Sequence, residues 1–232
     1  EPMVDSLPKE PTIPYLENGD RLNRFEFERR YAAMPHLRKA ELIEGVVYMP
    51  AALRFKSHGQ PHSHVIACIG LYEAATPCIS SGVEPTVRLE LDNDPQPDVL
   101  LRINEDAGGQ SRLSEDDYLE GAPELIIEIA ASSTAIDLFD KKKVYRRNGV
   151  KEYIVWQVLD HKLDWFYLDR GAYMSLEADA HGIVKSRVFP GFWLAVEALL
   201  NGDLQRVLTV LQEGLRSPEH AQFVNTLLSQ QP

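Results

Sequence analysis

Residues 124–131 read Glu-Leu-Ile-Ile-Glu-Ile-Ala-Ala, the most apolar strand-like segment of the chain. A run this continuous is the pattern of a strand buried on both faces. Glu128 interrupts it. An ionised carboxylate among Leu, Ile and Ala costs several kcal/mol unless it is paired or binds a metal. Such a conflict between polarity and burial marks candidate functional sites. A place at the sheet edge, or an arginine partner, would account for Glu128 equally well.

Downstream, Ser132-Ser133-Thr134 can cap a helix running to about Asn148, where Gly149 supplies a left-handed stop. Residues 152–159 read as a second buried strand, so a helix joins two buried strands and predicts a right-handed β-α-β crossover. Residues 162–168 and 172–178 form a hairpin around Asp169-Arg170-Gly171. A strand over 183–188 and helix from Leu194 to Leu215, broken near Asn201-Gly202, complete this half.

Upstream, residues 97–103 read as a mostly apolar strand, and Val87, Leu89 and Leu91 alternate as another. Between them and residue 124, residues 104–121 read as a loop or short helix. Val65, Ile69 and Tyr72 fall at helical spacing from His62 to about Ala75. Residues 40–49 form a hairpin turning at Glu44-Gly45. Asn23 and Glu26 have capping-box spacing for a helix to about Ala33. Four prolines in residues 1–19 suggest a loose arm. One α/β domain over 20–215 with a C-terminal tail, 216–232, is expected.

The net charge is −11, from 24 basic and 35 acidic residues. That excludes nonspecific coating of DNA by a broadly basic surface, but not a nuclease, which needs only local positive charge. No stretch reaches the roughly 18 apolar residues of a membrane span. Glu and Pro stand where a signal peptide would have a basic stretch, so a cytoplasmic protein with no membrane partner is expected. Cys68 and Cys78 are read as buried thiols rather than a bridge.

Asp98 follows Pro97 at the start of the strand over 97–103, a position where a missing N–H is tolerated. Asp137, Lys141 and Tyr145 are spaced i, i+4, i+8 and share one helix face. A solvated Asp-Lys pair would have the same spacing, and Lys142, Lys143, Arg146 and Arg147 likewise read as a solvated basic face. His62 and His64 would point about 200° apart on a helix, which disfavours a zinc pair.

In series these segments resemble the Uma-type restriction endonucleases, long carried as a domain of unknown function, within the PD-(D/E)xK nuclease superfamily. The resemblance rests on Glu41-Leu-Ile-Glu-Gly, His62 with Val65 and Ile69, Pro97-Asp98 and the run Glu124 to Thr134. It continues through Asp137, Lys141, Tyr145, Gly149-Val150 and Glu152-Tyr153. The resemblance implies a restriction-endonuclease-like mixed central sheet flanked by helices, with an additional antiparallel hairpin. It implies a metal-dependent DNA endonuclease in which Asp98, Glu128 and the Ile129 carbonyl hold Mg²⁺ or Mn²⁺. Glu41 would be a helper carboxylate. The superfamily places a lysine two residues after the second acid, where this chain has Ala130. Lys141 matches the lysine on the following helix that serves in the resembling family. Restriction enzymes often dimerise to cut both strands, so a homodimer is compatible. The alternative is a non-catalytic nucleic-acid or protein interaction module on the same fold. Asp98 and Glu128 are expected to converge at one edge of the central sheet, with Lys141 within salt-bridge range of Glu128.

Overall fold

The computed structural model describes residues 12–232. Helix α1 (Arg24–Ala32) starts at Asn23, whose side chain accepts the Glu26 N–H at 3.0 Å. Only half of the expected capping box forms, because the Glu26 carboxylate turns instead to Arg29 and Arg30. Strands β1 (Glu41–Ile43) and β2 (Val46–Tyr48) make the expected hairpin. Its turn residues Glu44 and Gly45 both have positive φ, the conformation of the tight turns that match strand twist.

A wide π-helical turn, Phe55–Gly59, leads into α2 (Gln60–Ala74). Strand β3 (Ile79–Val83) follows, then the short β4 (Val87–Arg88) and β5 (Val99–Ile103). The strand expected over 87–91 is cut short because the chain turns back at Asn93, whose N–H bonds the Glu90 carbonyl. Residues 104–121 contain two further short strands, β6 (Arg112–Leu113) and β7 (Leu119–Glu120), which join β4 in a small three-stranded sheet.

Strand β8 (Leu125–Ala130) is buried at every position. A second π-turn, Ile136–Asp140, and α3 (Lys141–Asn148) then lead to β9 (Glu152–Gln157). Strands β10 (Lys162–Asp169) and β11 (Ala172–Ser175) form the expected hairpin. Strands β12 (Ile183–Lys185) and β13 (Trp193–Ala195) pair with each other. Helices α4 (Val196–Leu200) and α5 (Leu204–Leu215) are separated at Asn201-Gly202.

The stretch expected as a C-terminal tail is mostly helix α6 (Pro218–Ser229), started by the Ser217 side chain and anchored by buried His220 and Leu227. Of the expected arm, residues 1–11 lie outside the described residues. Leu16, also expected there, is buried with Phe27, Ala40, Leu42 and Val47. The Gly19 N–H bonds the Val47 carbonyl at 2.8 Å. A large apolar side chain and backbone pairing to the hairpin override the proline-rich composition.

The central sheet has six strands in the order β11-β10-β9-β8-β5-β3. Strands β8 and β9 are parallel neighbours, as a β-α-β unit requires; the other pairs are antiparallel. Alternation assigns the two faces. Leu125, Ile127 and Ile129 enter the core shared with Ile69, Tyr72 and Leu211 of α2 and α5. Ile126 and Ala130 face the other way, with Tyr145 of α3. Glu128 lies between those two in the period-two series and therefore faces α3.

Candidate active site

The antiparallel register of β5 with β8 sets Val99 opposite Ile127, which brings Asp98 beside Glu128 and Ile129. Asp98 Oδ2 accepts the Ile129 N–H at 2.7 Å, and the Asp98 N–H points to Glu128 Oε2 at 3.4 Å. An extended residue projects its N–H and C=O toward the same neighbouring strand. The Ile129 carbonyl therefore faces the same gap, while the carbonyl of Ala130 turns to the other side and bonds the Val158 N–H. The two carboxylates meet at the end of two interior strands, not at a lateral edge of the sheet. Here β5 begins just as β8 finishes, which leaves side chains where ladder bonds would otherwise be.

The helix after β8 returns over this end. Lys141 is 3 % exposed, and its Nζ lies 2.8 Å from Glu41 Oε1, 2.9 Å from Glu128 Oε1 and 3.4 Å from Asp137 Oδ1. The Tyr145 hydroxyl donates to Glu128 Oε1 at 3.1 Å. The helix-face triplet thus converges on Glu128. The neighbouring Lys142 turns elsewhere, its Nζ sitting 3.7 Å from the Phe166 ring centre. Glu41 is delivered by the first strand of the hairpin and is fixed by the Gln96 N–H, which donates to Oε1 at 2.8 Å.

Two partners of Asp98 were missed by the sequence reading. Lys39 Nζ donates to Asp98 Oδ1 at 3.1 Å, and His58 Nε2 lies 3.4 Å from the same oxygen. Lys39 precedes Glu41 by two residues, so strand periodicity extended by one step would have placed both on one side. His58 gave no such signal, because it sits on a π-turn whose phase does not follow from helical spacing. His62, one turn later, places Nε2 3.0 Å from the backbone carbonyl oxygen of Asp98. Asp137 enters the cluster as well, its position held by the Ser133 hydroxyl at 2.6 Å.

Four buried carboxylates, of Glu41, Asp98, Glu128 and Asp137, thus face the ammonium groups of Lys39 and Lys141. With all six ionised, the cluster carries two uncompensated negative charges. The electrostatics register this excess. Burial would raise the Asp98 carboxyl, but His58, Lys39, Lys141 and the Ile129 N–H together hold it well below the usual carboxylate range. Burial drives Glu128 well above that range, with Lys141 opposing and Asp98, Asp137 and Glu41 reinforcing. Asp137 is raised by burial too, against Lys141 and Ser133. Burial disfavours charge on Lys141, yet Glu128, Glu41 and Asp137 keep it firmly protonated.

The donor set suits a hard divalent cation, which takes oxygen ligands. One buried oxygen, Asp137 Oδ1, accepts no hydrogen bond. Among the described residues, no three His, Cys, Asp or Glu side chains are gathered closely enough to ligate an ion. The ammonium of Lys141 stands among Glu41, Glu128 and Asp137, and that of Lys39 rests on Asp98.

The model of the Uma2 family, described as "Putative restriction endonuclease", matches residues 25–197. The chain belongs to the Uma2 family. No curated protein matches it. Among solved structures, it is similar to the crystal structure of a "putative nuclease belonging to DUF820" from Anabaena variabilis. The TM-score is 0.53 at 16 % identity, covering 70 % of this chain and 89 % of that one. At that identity the likeness establishes a shared fold. This Uma2 protein accordingly has a nuclease-like α/β architecture, with a separate hairpin contributing Glu41 to the end of its central sheet. Among the described residues no helix is long and apolar enough to cross a membrane.

Proposed function

We propose that this Uma2 protein is a divalent-metal-dependent nuclease that hydrolyses phosphodiester bonds of DNA at the end of β5 and β8. The observation that carries this reading is the charge count: four clustered buried carboxylates against two lysines, a deficit one divalent cation would fill. Asp98, Glu128 and the Ile129 carbonyl would hold Mg²⁺ or Mn²⁺, with Glu41 as a helper acid. Such an ion supplies a low-pKa water and neutralises phosphate charge.

The chain's own groups would do the rest. Lys141 would place a positive charge where the pentavalent phosphate builds negative charge, as Ala130 cannot. Tyr145 and Gln96 would hold the Glu128 and Glu41 oxygens in position through the bonds they donate. Lys39 and His58 would fix the Asp98 carboxylate in its ionised form.

The test is incubation of supercoiled plasmid and of single-stranded DNA with the protein and Mn²⁺ or Mg²⁺. Nicking or degradation that EDTA stops, and that Asp98→Asn lacks, is the expected result. Absence of any metal-dependent cleavage sinks the reading.

The second reading, a non-catalytic binding module, draws on Ala130 and on lysines that already neutralise half of the acids. It requires that Mn²⁺ leave the melting temperature unchanged, because a carboxylate site that binds an ion is stabilised by it.

A further inference from the structure

Residues 45–72 contain no Asp or Glu, in a chain of net charge −11. This stretch of 28 residues carries Arg54, Lys56, His58, His62 and His64 and passes directly beside Asp98. Among the described residues neither Arg54 nor Lys56 makes an ion pair. Acids are thus absent from the one segment of this acidic protein that places His58 and His62 against Asp98.

Phe55 lies within this strip, between Arg54 and Lys56, and is 72 % exposed. Its π-turn is tied to the site: His58, three residues on, contacts Asp98 Oδ1, and His62 contacts the Asp98 carbonyl. Phe55 opens the same π-turn that carries His58, directly ahead of the helix that carries His62. The rings of those histidines meet edge to face at 5.2 Å between centres. The ring of Phe55 covers none of the core, and Leu53 beside it is also exposed. A phenyl group held in water between two unpaired cations next to a phosphodiester-cutting site has the composition of a stacking platform for nucleic acid.

We propose that Phe55 stacks on an unpaired base, so that the substrate of the Asp98–Glu128 site is single-stranded or locally opened nucleic acid, its backbone tracked by Arg54 and Lys56. This rests on the nuclease reading above. In a duplex each base face is covered by its neighbours, so a protein ring can stack only where a base is unstacked, whatever its identity.

The experiment is fluorescence anisotropy with a labelled single-stranded 20-mer and with the same sequence as a duplex, Ca²⁺ replacing Mg²⁺ to hold off cleavage. Wild type is expected to favour the single strand. Phe55→Ala should weaken single-strand binding about 5- to 150-fold, the range for one lost base stack, and leave duplex binding nearly unchanged. Phe55→Trp should retain the preference. Because Phe55 is exposed, the melting temperature of both variants should match wild type. Arg54→Gln with Lys56→Gln should flatten the salt dependence on both substrates. Equal single-strand affinity of wild type and Phe55→Ala, while wild type still cuts plasmid with Mn²⁺, overturns the platform and leaves the nuclease standing. Failure of wild type both to bind and to cut either substrate overturns the two together.

Discussion

The two ends of the central sheet both bury glutamates, in opposite ways. At one end, Glu124 just ahead of β8 and Glu152 of β9 are each 1 % exposed. Glu124 accepts the N–H groups of Ile103 at 2.8 Å and Gln110 at 3.1 Å. Glu152 accepts the Ser186 hydroxyl at 2.6 Å and the Arg187 N–H at 2.7 Å. Those partners are neutral, and backbone N–H groups bond each of these glutamates to a separate loop. At the other end, Glu128 is 2 % exposed, but its partners are an ammonium, a phenol and the neighbourhood of three further acids. Burial of an acid therefore does not mark function by itself. Neutral backbone partners mark a brace, whereas titratable partners with a surplus of negative charge mark a site with chemistry left to do.

Mutations can break this comparison. The largest effect is expected at Asp98→Asn, which should reduce metal-dependent cleavage about 1,000-fold and abolish thermal stabilisation by Mn²⁺, because one charged ligand is gone. Stability without metal should fall, because Lys39, His58 and the Ile129 N–H hold Asp98 ionised and an uncharged amide satisfies them less well. Unchanged Mn²⁺ affinity in calorimetry would refute the assignment of Asp98.

Lys141→Met should cost roughly 100-fold in cleavage. It should also destabilise the metal-free protein by about 3–5 kcal/mol, because three carboxylates lose their shared buried counter-ion. Added Mn²⁺ should recover much of that loss. A variant as stable as wild type in EDTA would show that the cluster does not depend on Lys141.

Glu124→Gln sharpens the other side. It places an amide donor against one of the two backbone donors, and should cost about 1–3 kcal/mol in urea denaturation without moving Mn²⁺ affinity. An altered metal response would mean that the two ends are not separate.

An effect that shows only as a slope with pH belongs to Asp94, an acid with neither kind of partner. It is fully buried, neither oxygen accepts a hydrogen bond, and burial together with the nearby Glu28 carboxylate pushes it up to about 8. Its folded pKa lies above its unfolded value near 4. Its contribution to stability is thus full below about pH 4 and is lost as pH rises through about 8. Asp94→Asn should remove at most ~1.4 kcal/mol per pH unit of that slope. Denaturation midpoints between pH 5 and 9 that fall equally in both proteins would rule out Asp94 as their source.

Much of this arrangement was legible in the chain itself. The apolar run around Glu128 indicated a doubly buried strand, the 137/141/145 spacing placed Lys141 on one face with Asp137 and Tyr145, and the structure turns that face inward. Strand β3 was missed because Ile79-Ser-Ser-Gly-Val carries little apolar signal on a half-exposed outer strand. Helix α6 was missed because few of its residues are buried, and its anchor His220 bonds Thr76, 144 residues away. Lys39 and His58 reach Asp98 through the hairpin's approach and a π-turn, which pairwise spacing along the chain does not encode.

Both helical segments that deliver site residues begin with such a wide turn, Phe55–Gly59 and Ile136–Asp140. A π-turn contains one residue more than the α-helical turn it replaces. Each therefore works as a phase adjuster, setting the rotation of the helix beyond it independently of that helix's own sequence. Removing a single residue from 136–140 would let a regular turn span the same rotation, so Lys141 would keep its place over the carboxylates while its spacing from Glu128 shortened by one. A comparison that counts residues without counting turns will therefore misplace this lysine.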